Sequence, residues 1–356
     1  FGSMFQSVLD IDDTADSDDK RREFGAHYTS EKNILKTIKP LFLDDLYKEF
    51  NACESKPKLA AFHNKLVSLN FFDPACGCGN FLIIAYRELR LLELEVIKRQ
   101  LSKRRDSKTV HIDIEPMLKC NVDQFHGIDI DESAVHIARV AMWLTDHQMN
   151  LKVQQLGLYY SRIPLIKKAN IVRANALQIN WEDVIQPEQC SFIMGNPPFR
   201  GHQWRTTKQM QDMNNIWGER GRFGRLDYVT CWYKKATEYI KNNPVIAAAF
   251  VSTNSICQGE QGILWAYLLA QGVKIHFAHR TFRWSNEGRG VAAVHCVVVG
   301  FGLQEPSSYR LFDYGDNIQG EPIELKATRI NPYLVDAPNV ILPSRTHTPQ
   351  GLPQVK

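Results

Sequence analysis

Several signals that would place this chain in a simple class are missing. Its eight cysteines form neither a CxxC pair nor a paired framework. That excludes a disulfide-stapled secreted domain, offers no zinc site and points to reduced, intracellular thiols. No signal peptide is present, and no apolar run reaches the roughly 18 residues that a membrane helix needs. A soluble, cytoplasmic protein without a membrane partner is the expectation. Internal repeats are absent. So are GxGxxG and the Lys-Ser/Thr of a phosphate loop, which leaves the common nucleotide fingerprints unfilled. An initiator methionine is missing too, since position 1 is Phe1; a piece of a longer protein is therefore expected.

What is present allows a sizeable core. The chain has 356 residues, 44% of them hydrophobic, and a net charge of +4, enough for one large or two ordinary domains. The stretch around which it is organised is Asn196-Pro197-Pro198-Phe199, after an apolar run from Ser191 to Met194 and a single Gly195. Such a run reads as a buried strand stopping at the carboxyl edge of a sheet, where open α/β sheets carry their chemistry. The two prolines make the loop extended and stiff. A stiff loop aims two acceptors, the Asn196 side-chain oxygen and a proline carbonyl, at one amino group, with Phe199 as a flat surface beside them. An exocyclic amine on a planar base fits; the plain alternative is a turn after a strand.

Upstream, residues 1–22 are polar and read as a solvated lead-in. Thr29 or Ser30 caps an expected helix from about Glu31 to Phe50. Leu66 to Phe72 reads as a first strand, running into Asp73-Pro74-Ala75-Cys76-Gly77-Cys78-Gly79-Asn80-Phe81 and then an amphipathic helix. Strand, glycine turn and helix N-terminus suit a ligand that approaches backbone closely, and a nucleoside bearing a carboxylate fits as well as a pyrophosphate. A lone CxC inside that turn makes a poor metal site, and none is assigned. The basic run from Lys98 to Lys108 reads as an exposed loop or a phosphate contact.

Gln124 to Ile128 is a second expected strand. Asp129 stands at its end, where an acid accepts both ribose hydroxyls, and Ile130 follows. A helix from Glu132 to about Met149 comes next. Ala169 to Arg173 and Phe192 to Gly195 are the third and fourth strands. Arg200 to Arg225 interleaves Arg200, Arg205, Lys208, Arg222 and Arg225 with Trp204, Trp217 and Phe223, among four glycines. It reads as a mobile loop suited to a nucleic-acid backbone, or as a solvated surface loop with buried tryptophans. Further helices and strands run to about Phe301, and from Pro332 onward the chain is Pro-rich and reads as a linker or the start of another domain.

Three motifs in order now carry a resemblance: His27-Tyr28-Thr29, then Asp73 to Phe81, then Asn196 to Phe199. The chain resembles the gamma-class amino DNA methyltransferases, which methylate N6 of adenine with S-adenosylmethionine. Arg21 to Ser30, Leu226-Asp227-Tyr228-Val229 and Phe282 to Asn286 look most like the MmeI-like type IIL restriction–modification proteins. The likeness runs from about Phe5 to Leu342.

The resemblance implies a class I methyltransferase fold. This is a Rossmann-like α/β architecture with a mostly parallel sheet, an antiparallel last strand and a helical N-terminal segment. Residues 1–65 would be that segment, 66–302 the catalytic domain and 303–356 a linker. Tyr28 and Thr29 would lie over the cofactor's methionine part, and Asp73, Ala75, Cys76, Gly77 and Gly79 would line its turn. Asp129 and Ile130 would hold the ribose side. Asn175 and Ala176 stand where the family usually has Asp-Phe against the cofactor's adenine; here Ala176 offers no ring. Asn196 and Pro197 would accept from the target amine and Phe199 would stack on the flipped base, with Phe282 or Trp284 on its other face. Double-stranded DNA is the implied partner, together with nuclease and target-recognition domains of a longer protein. Two other readings stand beside this one. A protein-glutamine or ribosomal-RNA guanine methyltransferase also uses an NPP(Y/F) loop, and a DNA-binding scaffold could keep the fold without the chemistry.

Overall fold

Period-two alternation sends Phe71 and Phe72 to opposite faces of strand β1 (Phe71–Asp73). Phe71 stacks on Phe125 with ring centroids 4.8 Å apart. Phe72 meets Trp181 edge-on at 5.2 Å on the other side. Each face thus nucleates its own hydrophobic core.

The computed structural model describes residues 29–102, 117–155, 167–218, 222–284 and 294–341. Within them the remaining strands are β2 (Phe125–Asp129), β3 (Asn170–Arg173), β4 (Phe192–Gly195), β5 (Ala247–Thr253), β6 (Lys274–Trp284), β7 (Val294–Gly302), β8 (Tyr309–Asp313) and β9 (Ile323–Ala327). They form one sheet in the order β3-β2-β1-β4-β5-β7-β6-β8-β9. The first five are parallel, and β7 runs antiparallel between β5 and β6. That order is the class I methyltransferase fold, with β8 and β9 added at one edge. The chain leaves β1 for β2 on one side and returns to β4 on the other, so a crevice opens at the carboxyl ends of β1 and β4.

Helices cover both faces. The expected first helix is interrupted: α1 (Glu31–Ile38) and α2 (Asp44–Asn51) flank a π-helical turn, Lys39–Leu43. Pro40 has no N–H for the regular ladder, so the turn widens. Proline in a helix costs about 3 kcal/mol. Burying Leu41, Phe42 and Leu43 returns about 1.5–3 kcal/mol each, so the interruption is tolerated.

Three expectations are corrected. Leu66 to Phe72 is not one strand, because α3 (Lys56–Ser68) runs through Ser68, with Leu59, Phe62, His63 and Leu66 buried at helical spacing. The span Arg200 to Arg225 is not a mobile loop. It holds α6 (Thr207–Trp217), opened by a reciprocal capping box between Thr206 and Gln209 and closed at Gly218, φ 94°. Residues 303–356 are not linker throughout, since β8 and β9 pair with the sheet. Two long helices, α4 (Asn80–Ser102) and α5 (Glu132–Gln155), follow β1 and β2. The last two are α7 (Thr230–Ile240) and α8 (Gly262–Ala270). Among the described residues no helix is long and apolar enough to cross a membrane.

Candidate active site

The turn after β1 is built around two acids. Asp73 closes the strand and is buried; its Oδ1 accepts from the Ala75 N–H at 3.0 Å. Its Oδ2 is buried with no hydrogen-bond partner among the described residues. Burial, with the neighbouring Asp129 charge, pushes this carboxyl up to about 8. Only glycine fits beside it: a Cβ on Gly195 would stand 2.5 Å from Asp73 Oδ1. The last residue of β4 is therefore fixed by the last residue of β1.

Asp129, at the end of β2, accepts from Gly77 N–H at 2.8 Å and from Asp131 N–H at 2.9 Å. Burial raises its pKa as well. Each carboxylate oxygen keeps a second lone-pair position, so ligand hydroxyls can still be accepted. Asp131 caps α5 through the Ser133 N–H at 2.7 Å. Gly79 has φ +85°, and a Cβ there would lie 3.0 Å from Ala138 Cβ, which lets α5 close over the turn. Ile130 is 55% exposed, an apolar surface beside the acids. Cys76 is buried and packs behind Gly127. Trp232 of α7 donates to the Pro74 carbonyl at 3.1 Å, a brace that sequence spacing does not signal.

Asn196 follows β4. Its Nδ2 donates to Thr29 Oγ1 at 3.3 Å. Its Oδ1 is buried and has no hydrogen-bond partner among the described residues. The exit of the loop is clamped: Asp227 Oδ1 accepts from Arg200 N–H at 2.8 Å, and Tyr228 N–H donates to the Arg200 carbonyl at 3.1 Å. Phe199 is half-buried against both cores. Thr29, Asp73, Asp129 and Asn196 are thus linked through one crevice; Tyr28 lies outside the described residues.

Asn175 and Ala176 serve the frame instead. Asn175 Oδ1 accepts from Leu177 N–H and its Nδ2 donates to Asp212 at 3.0 Å. Ala176 is buried, and its carbonyl accepts from Trp181 and Lys235. One proton and one lone pair of the Asn175 amide are thus spent on the frame.

With this geometry in place, the matches to known proteins decide the family. The model of the MmeI DNA-methyltransferase domain matches residues 50–313. The chain belongs to that family. It is 52% identical to the type IIL restriction–modification enzyme MmeI, whose structure was solved in complex with DNA, with a TM-score of 0.91 over 99% of this chain and 46% of that one. It is 36% identical to DNA methyltransferase A of Bacillus subtilis (strain 168), over 100% of this chain and 39% of the relative. A putative type II restriction enzyme and methyltransferase of Methanocaldococcus jannaschii is 32% identical over 142 residues, covering 40% of this chain and 11% of the relative. The chain thus spans less than half the length of these relatives.

In this MmeI-family domain the expected target-facing residues divide. Lys208 is exposed on α6. Arg205 donates to the Gly224 carbonyl, and Arg225 pairs with Glu260 at 2.5 Å. Arg205 is thus partly engaged by backbone, while the Arg225 side chain stays exposed beside its ion pair. The Arg222 side chain lies outside what is described, and Arg200 is half-buried. Phe282 is fully buried, with Lys36 Nζ 4.1 Å from its ring centre and Tyr314 stacked at 5.4 Å. Base stacking by Phe282 is corrected for that reason. The Trp284 side chain is not described.

Proposed function

We propose that this domain transfers a methyl group from S-adenosylmethionine to N6 of an adenine flipped out of double-stranded DNA. The single observation that carries this reading is the buried, unpartnered Oδ1 of Asn196 beside the two acids. A dry amide oxygen costs about 1–3 kcal/mol until it finds a donor, and an exocyclic amine is one. The acids fit the cofactor: an orphaned Asp73 oxygen suits its ammonium group, Asp129 its ribose, and Ile130 an apolar ring. When bound, the cofactor supplies an electrophilic methyl group.

The chain's own residues prepare the amine. Asn196 Oδ1 and the Pro197 carbonyl draw on its protons and pull the nitrogen lone pair out of conjugation with the ring. Phe199 holds the base plane, which partly offsets the unstacking cost of a few kcal/mol. A cysteine nucleophile is not available. Seven of the cysteines are buried, and partial burial pushes the Cys78 thiol up to about 11. That favours direct methylation of an amine over attack through a covalent thiol adduct. The family match supports DNA over protein glutamine or ribosomal RNA as substrate.

We keep residues 66–302 as the catalytic body, extended by β8 and β9, and the N-terminal segment as the part that caps it. A nuclease and a target-recognition domain, and a cytoplasmic setting, belong to the same proposal. Asn196→Ala should lower single-turnover methylation by about 10²–10³ and change cofactor affinity by less than about 1 kcal/mol. Methylation at the parent rate would reduce Asn196 to a turn residue.

A further inference from the structure

We infer that Thr29 is a positioning residue for Asn196, separate from any contact it makes with the cofactor; this rests on the methylation reading above. Thr29 is 4% exposed, and its hydroxyl oxygen receives the Asn196 amide N–H at 3.3 Å. A primary amide is planar and its two ends are opposite in character: nitrogen only donates and oxygen only accepts. Holding the nitrogen on Thr29 leaves the oxygen on the other side, where it is buried and unpartnered. Turned over, the amide would point its donor at the donor of a target amine and repel it.

The helix that follows Thr29 is well anchored. The first turn of α1 starts on the next residue, with Asn33 N–H and Ile34 N–H both 3.0 Å from the Ser30 carbonyl. Glu31 is gripped by Arg87 at 2.6 and 3.0 Å. Lys36, one turn further on, lies over Phe282 and Tyr314. The hydroxyl therefore reaches Asn196 from a helix tied to α4 and to the far side of the sheet. A residue 167 positions away in sequence holds the catalytic amide in place.

The test uses the full-length protein with Thr29→Val, which keeps the shape and removes the hydroxyl, beside Thr29→Ser and Thr29→Ala. Single-turnover methylation of duplex DNA and cofactor affinity are measured for each, alone and with Asn196→Ala. Thr29→Val and Thr29→Ala should slow transfer by about tenfold or more, with cofactor affinity within about threefold of the parent and Thr29→Ser near the parent rate. In the Asn196→Ala background the Thr29 changes should cost nothing further, because the group they orient is gone. An undiminished loss in that background, or a loss of cofactor affinity as large as the loss of rate, would overturn the inference. A parent protein that leaves no N6-methyladenine would instead sink the methylation reading, and the same assay reports it.

Discussion

Asp73 is the residue at which burial has the most consequence for behaviour. Its carboxyl is enclosed by the turn and by β4, and burial pushes it up to about 8 from the ordinary 3.8. Between those values the folded protein keeps a proton that the unfolded chain has already lost. Unfolding then releases a proton, so this residue's contribution to stability falls as pH rises through that window. Asp73→Asn removes the dependence. Urea midpoints measured from about pH 5 to about pH 8 should fall more steeply for the parent than for Asp73→Asn; equal slopes would contradict the assignment. A cation-bearing cofactor prefers the ionised form, so its affinity should climb over the same window.

Element by element, the chain shows how α6 is tied to the loop after β3 and to Tyr228. Asp212, buried on α6, accepts from Asn175 at 3.0 Å, Gln178 at 2.9 Å and Tyr228 at 2.7 Å. It joins the loop after β3 to the segment that follows Phe199. Asp212→Ala would leave three donors, the buried Tyr228 hydroxyl among them, without their acceptor, and a loss of about 1–3 kcal/mol is expected by denaturant titration. A change below about 0.5 kcal/mol, ordinary for a surface site, would show that the cluster is not structural. Much at this scale could be read in advance. The ends of β2 and β4 lay in clear apolar runs stopped by Asp129 and by the Asn196 loop. Helix α6 was obscured by its glycine-rich, charged flanks, although Thr206 and Gln209 already stood at capping-box spacing. Helix α3 has no counterpart among the expected elements, and its last residues fall in the expected strand because Leu66 and Val67 lead into two phenylalanines; an apolar run does not say where its period changes. The roles of Asn175, Arg205 and Phe282 were out of reach, since each depends on a partner far along the chain: Asp212, Gly224 and Lys36.

For the whole molecule, the strand order does the gathering. Placing β4 beside β1 brings Gly195 against Asp73 and sets Asn196 at the same edge as Asp129. The N-terminal helices share the β1 core rather than forming a body of their own, which is how Thr29 arrives at Asn196. Strands β8 and β9 extend the sheet within the residues expected to be a linker. The central claim is that this assembly methylates an adenine amine in DNA. The most direct test incubates duplex DNA with the full-length protein and S-adenosylmethionine carrying a labelled methyl group, then digests the DNA to nucleosides and separates them. The account predicts label in N6-methyladenine, lost with Asn196→Ala. Label in a methylated cytosine, or in protein rather than DNA, would contradict it.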